Sequence, residues 1–475
     1  MQFQELTYLL SPIILIITAL FVLIIDFFTN RKSVLMIYTL FGIFISALIL
    51  VIQFINFDSN KNIFFDTLVF DKLYIFMALF LIILTFVILL AFYDYIINQI
   101  TFRSEFISLL LLSLVGSLLV IMSIDFITLY LSLELASLPI ISLVAFGRGK
   151  FSLEAAFKYL ILASLSTGIF LMGVAYIYGI TGSIDIVNIN ISYINPALIL
   201  GLVFLFMGIA FKLSIAPWHM WTPDTYQGSP MPIVTYLSTV SKVAGFVLII
   251  RIFLEIFTIN FDSHNFIIFL SLVSFLSMTI GNFGAIFQKD LKRLFAYSTV
   301  AHAGYMLVGV IALISTSSAG STTLFYVIGY AITNLTVFFC LQYVINLTQS
   351  SSIDSLKGLF HSYPLVSIML TVSILSLLGI PGTVGFMGKV LVFSSAVDNG
   401  LAWLAIVGVI NSFISAYYYL GILRNIFMSS EKFEQKSNSN NNYILVASLS
   451  SLIVLVLGIF PDVLLSVIDD VMSAI

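Results

Sequence analysis

The 475-residue chain is poor in the side chains that carry charge, form cross-links or bind metals. Charged residues make up only 9% of it, and its single cysteine is Cys340. One thiol cannot form an internal disulfide, and it cannot hold an iron–sulfur cluster without ligands from other chains. His219, His264 and His361 lie in or near predicted loops without metal-ligand spacing, so no structural metal site is expected. A phosphate-binding glycine loop, a nucleophile triad and a basic nucleic-acid patch are also missing from the sequence.

Hydrophobic side chains are in excess, at 61% of the chain, and the mean hydropathy is +1.15. This composition excludes a soluble globule and predicts an all-α, polytopic membrane protein. Windows of about 20 residues, which cross about 30 Å of hydrocarbon, predict about fourteen transmembrane helices. The predicted single membrane domain divides into an N-terminal three-helix segment (1–100), a first repeat (101–257), a second repeat (258–428) and a C-terminal helix (429–475).

Basic residues divide unevenly between the two sides of the predicted membrane domain, and Lys and Arg accumulate in cytoplasmic loops. Only Lys61, Lys72 and Arg251 belong to the side that follows even-numbered spans. The residues that follow odd-numbered spans are Arg31, Lys32, Arg103, Arg148, Lys150, Lys289, Lys292, Arg293, Lys357, Arg424, Lys432 and Lys436. This imbalance predicts that both termini face outward. The membrane is expected to be a prokaryotic inner membrane, or alternatively an organellar inner membrane.

Charged side chains inside the predicted spans are the most informative feature of the sequence. They are Glu134, Lys158, Lys212, Lys242 and Lys389. An ionised side chain at the centre of a bilayer costs at least about 2.5–3.5 kcal/mol on insertion scales, and such residues usually mark an ion path. We therefore expect this chain to move charge through the membrane.

Glu134 and Lys158 lie on consecutive predicted helices, the fifth and sixth spans, joined by a short loop. Pro139 cannot donate to the carbonyl of Leu135, so a backbone acceptor is expected next to the Glu134 carboxylate. Antiparallel neighbours put the two charges about 10 Å apart in depth, a gap that a lysine stem and a water could close. The pattern predicts a polar pair, and the alternative is a static salt bridge that pins two helices together.

Two predicted spans are interrupted, and each carries a lysine at its interruption. Lys212, in span 7 (Pro196–Pro217), precedes a stretch rich in helix breakers, and Lys389, in span 12 (Leu365–Val397), follows one. Unwound backbone at membrane depth persists only against protein or a water-filled cavity. Breaks five spans apart predict two inverted five-helix repeats, spans 4–8 and 9–13, of the kind that hold a transporter's ion path. Kinks with no functional role are the alternative.

Small and polar side chains form stripes at helical spacing on several spans. The stripe of the eighth span contains Lys242, and that of the tenth contains His302 and Tyr305. Similar stripes occur on the eleventh and thirteenth spans. In full, the stripes are Thr235, Ser238, Lys242 and Gly245 on the eighth span; Ser298, His302, Tyr305 and Gly309 on the tenth; Thr323, Tyr326, Tyr330 and Thr333 on the eleventh; and Asn411, Ser415 and Tyr418 on the thirteenth. Ordinary helix packing also uses small and hydroxyl residues. Together with the lysines, the stripes predict a buried hydrated track in which His302 relays protons near neutral pH.

Burial weakens the preference of an ammonium group for its charge, so a buried lysine can exchange a proton near neutral pH. Electrostatic coupling along a row of such groups converts a charge change at one end into proton uptake or release at the other. In such a mechanism this chain needs only titratable side chains and gated access of water. The redox chemistry would be carried out by partner chains.

Several motifs resemble the antiporter-like proton-pumping subunits of respiratory complex I, the NADH-quinone oxidoreductase, most closely the subunit N family, called subunit 2 in organelles. The matching stretches lie between about Asp125 and Arg424, and they are Leu133–Pro139 (LELASLP), Glu154–Tyr159 (EAAFKY), Phe211–Pro232 (with APWHMWTPDTYQG), Val240–Phe246 (VSKVAGF), Leu291–Tyr305 (LKRLFAYSTVAHAGY) and Gly379–Lys389 (GIPGTVGFMGK). Gly382 stands where the family usually has a second proline.

The resemblance implies roles for the titratable residues. Glu134 and Lys158 would form an inter-subunit or uptake-side pair, and Lys212 and Lys242 would form the central relay. Lys389 would be the terminal exit site, and His302 would bridge the two halves. The chain itself would bind no cofactor. FMN, iron–sulfur clusters and quinone would belong to a redox arm in other subunits. The partners of this chain would be that redox arm, the other membrane subunits and the lipid bilayer.

Two other classes of membrane protein compete with this interpretation. A subunit of a multi-subunit cation/proton antiporter or of a membrane-bound hydrogenase would share the fold and the lysines. A solute transporter or ion channel is favoured less, because a channel needs an open path rather than titratable groups. The sequence leaves open whether protons or sodium ions move, and which electron donor and quinone are used.

Overall fold

The computed structural model describes residues 5–28, 32–147, 149–187, 196–257, 264–429, 433, 435–437 and 442–474. Three residues of the topology prediction, Arg31, Arg148 and Lys432, lie outside this part of the chain. The described chain divides into two compact units. Unit 1 comprises Met1–Lys212, Gly228–Asp262 and Asp469–Ile475, and unit 2 comprises Leu213–Gln227 and Ser263–Ile468.

The regular structure is almost entirely helical, which confirms the all-α prediction. The helices before the middle of the chain are α1 (Leu10–Phe28), α2 (Lys32–Ile55), α3 (Lys72–Ala91), α4 (Tyr93–Gln99), α5 (Arg103–Met122), α6 (Phe126–Val144), α7 (Lys150–Thr181), α8 (Pro196–Lys212), α9 (Trp221–Gly228), α10 (Met231–Tyr236) and α11 (Lys242–Phe257). The later helices are α12 (His264–Ile286), α13 (Leu291–Leu313), α14 (Ala319–Thr348), α15 (Leu359–Ser362), α16 (Pro364–Leu378), α17 (Val384–Asp398), α18 (Ala402–Met428), α19 (Asn442–Ile459) and α20 (Asp462–Met472).

Among the described residues, twelve helices are long and apolar enough to cross a membrane. Two shorter apolar helices, α8 and α16, fall in the spans for which the sequence predicts breaks. α8 ends at Lys212 and α16 ends at Leu378, so both predicted interruptions are confirmed. The count of fourteen spans and the four-segment division of the chain stay predictions.

Acidic side chains define where several helices begin. Asp71 caps α3 by accepting from the amide of Tyr74, and Asp125 caps α6 by accepting from the amides of Ile127 and Thr128. Asp290 does the same for α13. These carboxylates satisfy amides that have no partner within their helix, and they lie at the positive end of its dipole. A short antiparallel hairpin, β1 (Lys61–Ile63) and β2 (Leu68–Phe70), leads into α3.

A buried ion pair ties α3 to α11 within unit 1. Arg251 donates from its two terminal nitrogens to the Asp71 carboxylate at 2.7 and 3.0 Å, and both side chains are 2% exposed. The topology prediction for Arg251, on the side that follows even-numbered spans, is corrected, because Arg251 lies inside the apolar helix α11. Local sequence patterns do not indicate the pair, because its partners are 180 residues apart.

Removal of one member of this pair should destabilise the fold strongly, since the remaining charge would be buried without its counter-ion. We expect Asp71→Ala to cost about 3–5 kcal/mol. The Asp71→Leu/Arg251→Met double variant should lose less, because neither charge remains. Thermal unfolding of the detergent-purified protein measures the difference.

The matched control is Asp354→Ala, which removes a partner of Lys357 at the surface and should cost at most about 1 kcal/mol. An Asp71→Ala variant that unfolds at the same temperature as this control would contradict the assigned role of the buried pair.

Candidate functional site

The Lys389 side chain lies at the break in the predicted twelfth span. Its Nζ donates to the carbonyl oxygens of Leu377 and Leu378 at 3.0 Å each and to the Ser412 hydroxyl at 3.1 Å. The two carbonyls belong to the last turn of α16, where helix acceptors have no partner further along the helix and the dipole is negative. The interruption of the helix therefore creates the ammonium site.

The rest of the Lys389 site is aromatic. The Nζ lies 4.8 Å from the centre of the Tyr305 ring, within the range of a cation–π contact. Lys389 is 5% exposed. Among the described residues, the contacts of its ammonium are with neutral groups, so dipoles and a ring hold it there.

His302 lies at the centre of an aromatic cluster in unit 2. Its Nδ1 is 2.8 Å from the Tyr326 hydroxyl, and its Nε2 is 3.4 Å from the Tyr419 hydroxyl. The Tyr419 hydroxyl in turn lies 2.5 Å from that of Ser298. The His302 and Tyr305 rings are 5.5 Å apart, so Tyr305 contacts both His302 and Lys389. The structure thus brings two of the predicted site residues together.

Asn282 adds α12 to this cluster and makes further contacts with α18. Its Nδ2 donates to the Tyr305 hydroxyl at 3.0 Å and to Oδ1 of Asn411 at 3.2 Å. Its Oδ1 accepts from the Tyr418 hydroxyl at 3.1 Å. The predicted stripes of the tenth, eleventh and thirteenth spans therefore meet in one network. Sequence reasoning missed Asn282, although a carboxamide inside an apolar span is itself a signal.

Lys242 is buried in unit 1, directly after an irregular turn. Residues Leu237–Ser241 form a π-helical segment between α10 and α11, and Lys242 is 2% exposed. Such segments widen a helix by one residue and are frequent at functional sites. The Ser238 and Thr239 hydroxyls both donate to the Thr235 carbonyl, at 2.9 and 2.7 Å. Part of the predicted stripe therefore serves the backbone of the irregular turn itself.

Glu134 and Lys212 line one small cavity in unit 1. The cavity has a volume of about 10 Å³, enough for about one water molecule, and is lined by Tyr130, Leu133, Glu134, Ser166, Thr167, Phe170, Gly208 and Lys212. Thr167 donates to the Glu134 carboxylate at 2.6 Å. The Lys212 Nζ makes a long contact of 3.5 Å with the Leu133 carbonyl, on the helix of Glu134.

Lys158 lies elsewhere, and this corrects the expected pairing of Glu134 with Lys158. Its Nζ is 2.8 Å from the Glu154 carboxylate, one turn earlier on α7, and its side chain is 45% exposed. Thr167, which holds Glu134, is nine residues further along the same helix. Nine residues are two and a half turns, so Thr167 lies about 13 Å away and on the opposite face. The predicted depths of Glu134 and Lys158 in the membrane do not reveal the direction in which the Lys158 side chain leaves its helix.

These features define a class of protein. A polytopic helical chain has lysines at helix irregularities, and one of them, Lys389, contacts a tyrosine that is linked to histidine and asparagine. This is the construction of an antiporter-like, ion-translocating membrane subunit. The family model described as NADH:quinone oxidoreductase/Mrp antiporter, TM, matches residues 123–415. This chain belongs to that family.

Individual relatives agree with this assignment. The chain is 34% identical to a protein of Dehalococcoides mccartyi named NADH-quinone oxidoreductase subunit N, over 97% of this chain and 98% of that protein. A chain of respiratory complex I from Thermus thermophilus is 27% identical and superposes with a TM-score of 0.82, over 96% of this chain and 99% of that chain. A chain of the Mrp complex from Dietzia sp. has a TM-score of 0.84 over 100% and 97% of the two chains, but at 19% identity it shows the shared fold alone.

The Lys389 site can be tested through the glycines of the break. Gly379 has φ +90°, and a Cβ there would lie 3.1 Å from Cδ and 3.4 Å from Nζ of Lys389. Gly382 has φ +88°, but a Cβ there would meet nothing within 4 Å. We expect Gly379→Ala and Gly382→Ala to lose similar stability, about 1–2 kcal/mol, from backbone strain. Only Gly379→Ala should impair ion translocation by membrane vesicles, because only its methyl group displaces the ammonium.

Thermal unfolding measures the shared strain, and Gly382→Ala is the matched control for it. Equal translocation by the two variants would show that the position of the ammonium does not matter.

Proposed function

We propose that this chain is the proton-translocating membrane subunit of an NADH:quinone oxidoreductase of the complex I type. The observation that carries the proposal is the environment of Lys389, whose ammonium is held by neutral acceptors and linked through Tyr305 to His302 and Asn282. A permanent structural charge needs a counter-ion in a low dielectric, whereas a group that gains and loses a proton needs partners that tolerate both forms.

Each predicted site residue takes a role in this proposal. Lys242 and Lys389 are the titrating groups of units 1 and 2, and His302 relays protons within unit 2. Glu134 acts on Lys212, because the two line the same cavity. Movement of the Glu134 carboxylate would change the electrostatic potential at the Lys212 ammonium. Lys158, with Glu154, lies on an exposed face of α7 and contributes to contact with a neighbouring membrane subunit.

The electron-transfer chemistry belongs to partner chains. A single cysteine, Cys340, cannot ligate an iron–sulfur cluster alone. FMN, iron–sulfur clusters and quinone are assigned to the redox arm and the other subunits of the complex, which drive this chain through charge changes and conformational changes. The relatives' names support this assignment, since they describe subunits of an NADH-quinone oxidoreductase.

The proposed location is a prokaryotic cytoplasmic membrane with both termini on the outer face. Lys289, Lys357 and Arg424 then lie on the inner face, in agreement with the accumulation of basic residues in cytoplasmic loops. A subunit of a cation/proton antiporter remains the second candidate, because the family model spans both kinds of complex. The 34% identity to an oxidoreductase subunit favours the first candidate.

Substitution of the titrating lysines tests the proposal directly. We expect Lys242→Ala and Lys389→Ala to leave assembly of the complex and electron transfer to artificial acceptors intact. Proton translocation coupled to quinone reduction should fall, because the proton-transfer steps lose their acid–base groups, which typically contribute at least about a hundredfold. Dye-monitored acidification of inverted membrane vesicles, normalised to quinone reduced, provides the measurement.

Lys242→Met and Lys389→Met keep more of the apolar volume, and they separate loss of titration from loss of packing. Lys357→Ala removes a loop lysine and should translocate protons normally. Full translocation by both methionine variants would overturn the proposal.

A further inference from the structure

A cavity of about 390 Å³ lies in unit 2, between the end of α12 and the last turns of α18. Its full lining is Ala285, Ile286, Gln288, Leu294, Ile353, Tyr417, Tyr418, Leu420, Gly421, Ile422, Arg424 and Asn425. A transmembrane helix with its side chains is about 10–12 Å wide, so one turn of it occupies about 420–610 Å³. The cavity is therefore smaller than one helical turn, but it falls within the range of about 300–1,000 Å³ that is typical of small-molecule pockets.

The cavity carries positive charge. Arg424 is the one ionised side chain among the described residues that line it. The Arg424 guanidinium has no hydrogen bond or ion pair within the part of the chain that the structure describes. The backbone of a second basic residue, Lys289, lies at the edge, because its carbonyl accepts from the amide of Ile353 at 2.9 Å. The cavity is thus suited to an anion.

The carboxylates nearest to the cavity in sequence have other partners. Asp290 caps α13 and accepts a hydrogen bond from the Ser351 hydroxyl. Asp354, next to Ile353 of the lining, is 3.3 Å from the Lys357 ammonium. Neither carboxylate lines the cavity.

Two neutral polar side chains of the wall are also engaged. Gln288 accepts from Nε of Arg293 at 3.2 Å, and the Tyr418 hydroxyl donates to Asn282 at 3.1 Å. Arg424 is therefore the group of the wall that is best suited to bind an anionic ligand.

An apolar surface adjoins the cavity. Tyr417 and Leu420 of α18 are 72% and 51% exposed, and Phe283 and Phe287 of α12 are 48% and 78% exposed. Arg424 is four residues, or about 6 Å along the axis, from the end of α18. The guanidinium thus belongs to the depth at which hydrocarbon gives way to headgroups, beside a surface that suits acyl chains.

We propose that this cavity binds the headgroup of one anionic phospholipid, whose acyl chains lie along the apolar surface of Phe283, Phe287, Tyr417 and Leu420. The phosphate accepts hydrogen bonds from Arg424, because the paired N–H groups of a guanidinium match phosphate oxygens. Basic pockets between transmembrane helices are known to hold such headgroups. On the proposed topology the lipid belongs to the cytoplasmic leaflet. The inference needs a membrane but no proton movement, so it goes beyond the proposed function.

The observations favour a lipid over two other occupants. Free inorganic phosphate would satisfy Arg424 but would leave the adjoining apolar surface uncovered. A transmembrane helix of a neighbouring subunit is too wide to enter the cavity, so it would leave Arg424 without an anion. A phospholipid matches both the charge in the cavity and the apolar surface beside it.

Titration with phosphatidylglycerol tests the proposal. The complex that contains this chain is purified in mild detergent, depleted of lipid and titrated, and native mass spectrometry counts the lipids that stay on this subunit. We expect Arg424→Gln to weaken the binding of one phosphatidylglycerol at least about fivefold, which is the contribution of one basic residue near anionic headgroups. The matched control is Lys150→Gln, which removes an exposed basic residue at the start of α7 and should leave binding unchanged.

A second variant fills the cavity and leaves its charge in place. A Cβ at Gly421 meets nothing within 4 Å, so Gly421→Leu extends into the cavity without a clash. Gly168 of α7 has equally open surroundings, and Gly168→Leu is the matched control. We expect Gly421→Leu to lose the bound phosphatidylglycerol and Gly168→Leu to keep it.

Several results would overturn the proposal. One is equal binding of phosphatidylglycerol by Arg424→Gln, Gly421→Leu and their two controls. Another is equally tight binding of phosphatidylcholine, which has no net negative charge. Displacement of the lipid by millimolar inorganic phosphate would show that the cavity holds phosphate and not a phospholipid.

The unaltered complex provides a test that does not depend on the folding of any variant. A photoactivatable phosphatidylglycerol is added to native membranes, and cross-linked peptides are identified by mass spectrometry. We expect cross-links within residues 417–425 of α18. Cross-links on other segments alone would contradict the proposal and would favour a neighbouring subunit as the cover of this surface.

Discussion

The rest of this structure depends on how an ammonium group is accommodated in a low dielectric without a permanent counter-ion. Lys389 donates to the carbonyls at the end of α16, Lys212 is the last residue of α8, and Lys242 directly follows the π-helical turn. All three lysines lie where regular helical hydrogen bonding is interrupted. At Lys389 this irregular backbone supplies carbonyl dipoles that stabilise the ammonium while it is charged and leave no opposite charge behind when the charge is gone.

The Asp71–Arg251 pair shows the other solution to the same constraint. There two opposite charges, each 2% exposed, neutralise each other through two hydrogen bonds. Removal of either charge would leave the other buried without a counter-ion, so the pair holds α3 and α11 together. Arg251 and Lys389 are both buried in apolar helices, but Arg251 is paired with a carboxylate, whereas Lys389 contacts backbone carbonyls, a hydroxyl and a ring.

The sequence predicted the features that depend on local pattern. Breaker-rich stretches indicated the ends of α8 and α16, and helical spacing indicated the faces that carry His302 and Tyr418. It did not predict which groups meet. The partner of Glu134 is decided by the rotation of α7, which turns Thr167 toward it and Lys158 away. Asn282 and Ser412 acquire significance only from helices that are distant in sequence.

The network of unit 2 is built mainly from neutral groups that both donate and accept. A tyrosine hydroxyl can reverse the direction of its hydrogen bond, and an imidazole can exchange its tautomer, so the Tyr326–His302–Tyr419–Ser298 chain can transmit a proton without a lasting buried charge. Asn282 lacks this freedom, because its amide donates only and its carbonyl accepts only. Asn282 therefore joins the Tyr418 and Tyr305 hydroxyls without passing a proton from one to the other. A coupled pump needs such a point, since a track that conducted continuously would dissipate the gradient that it builds.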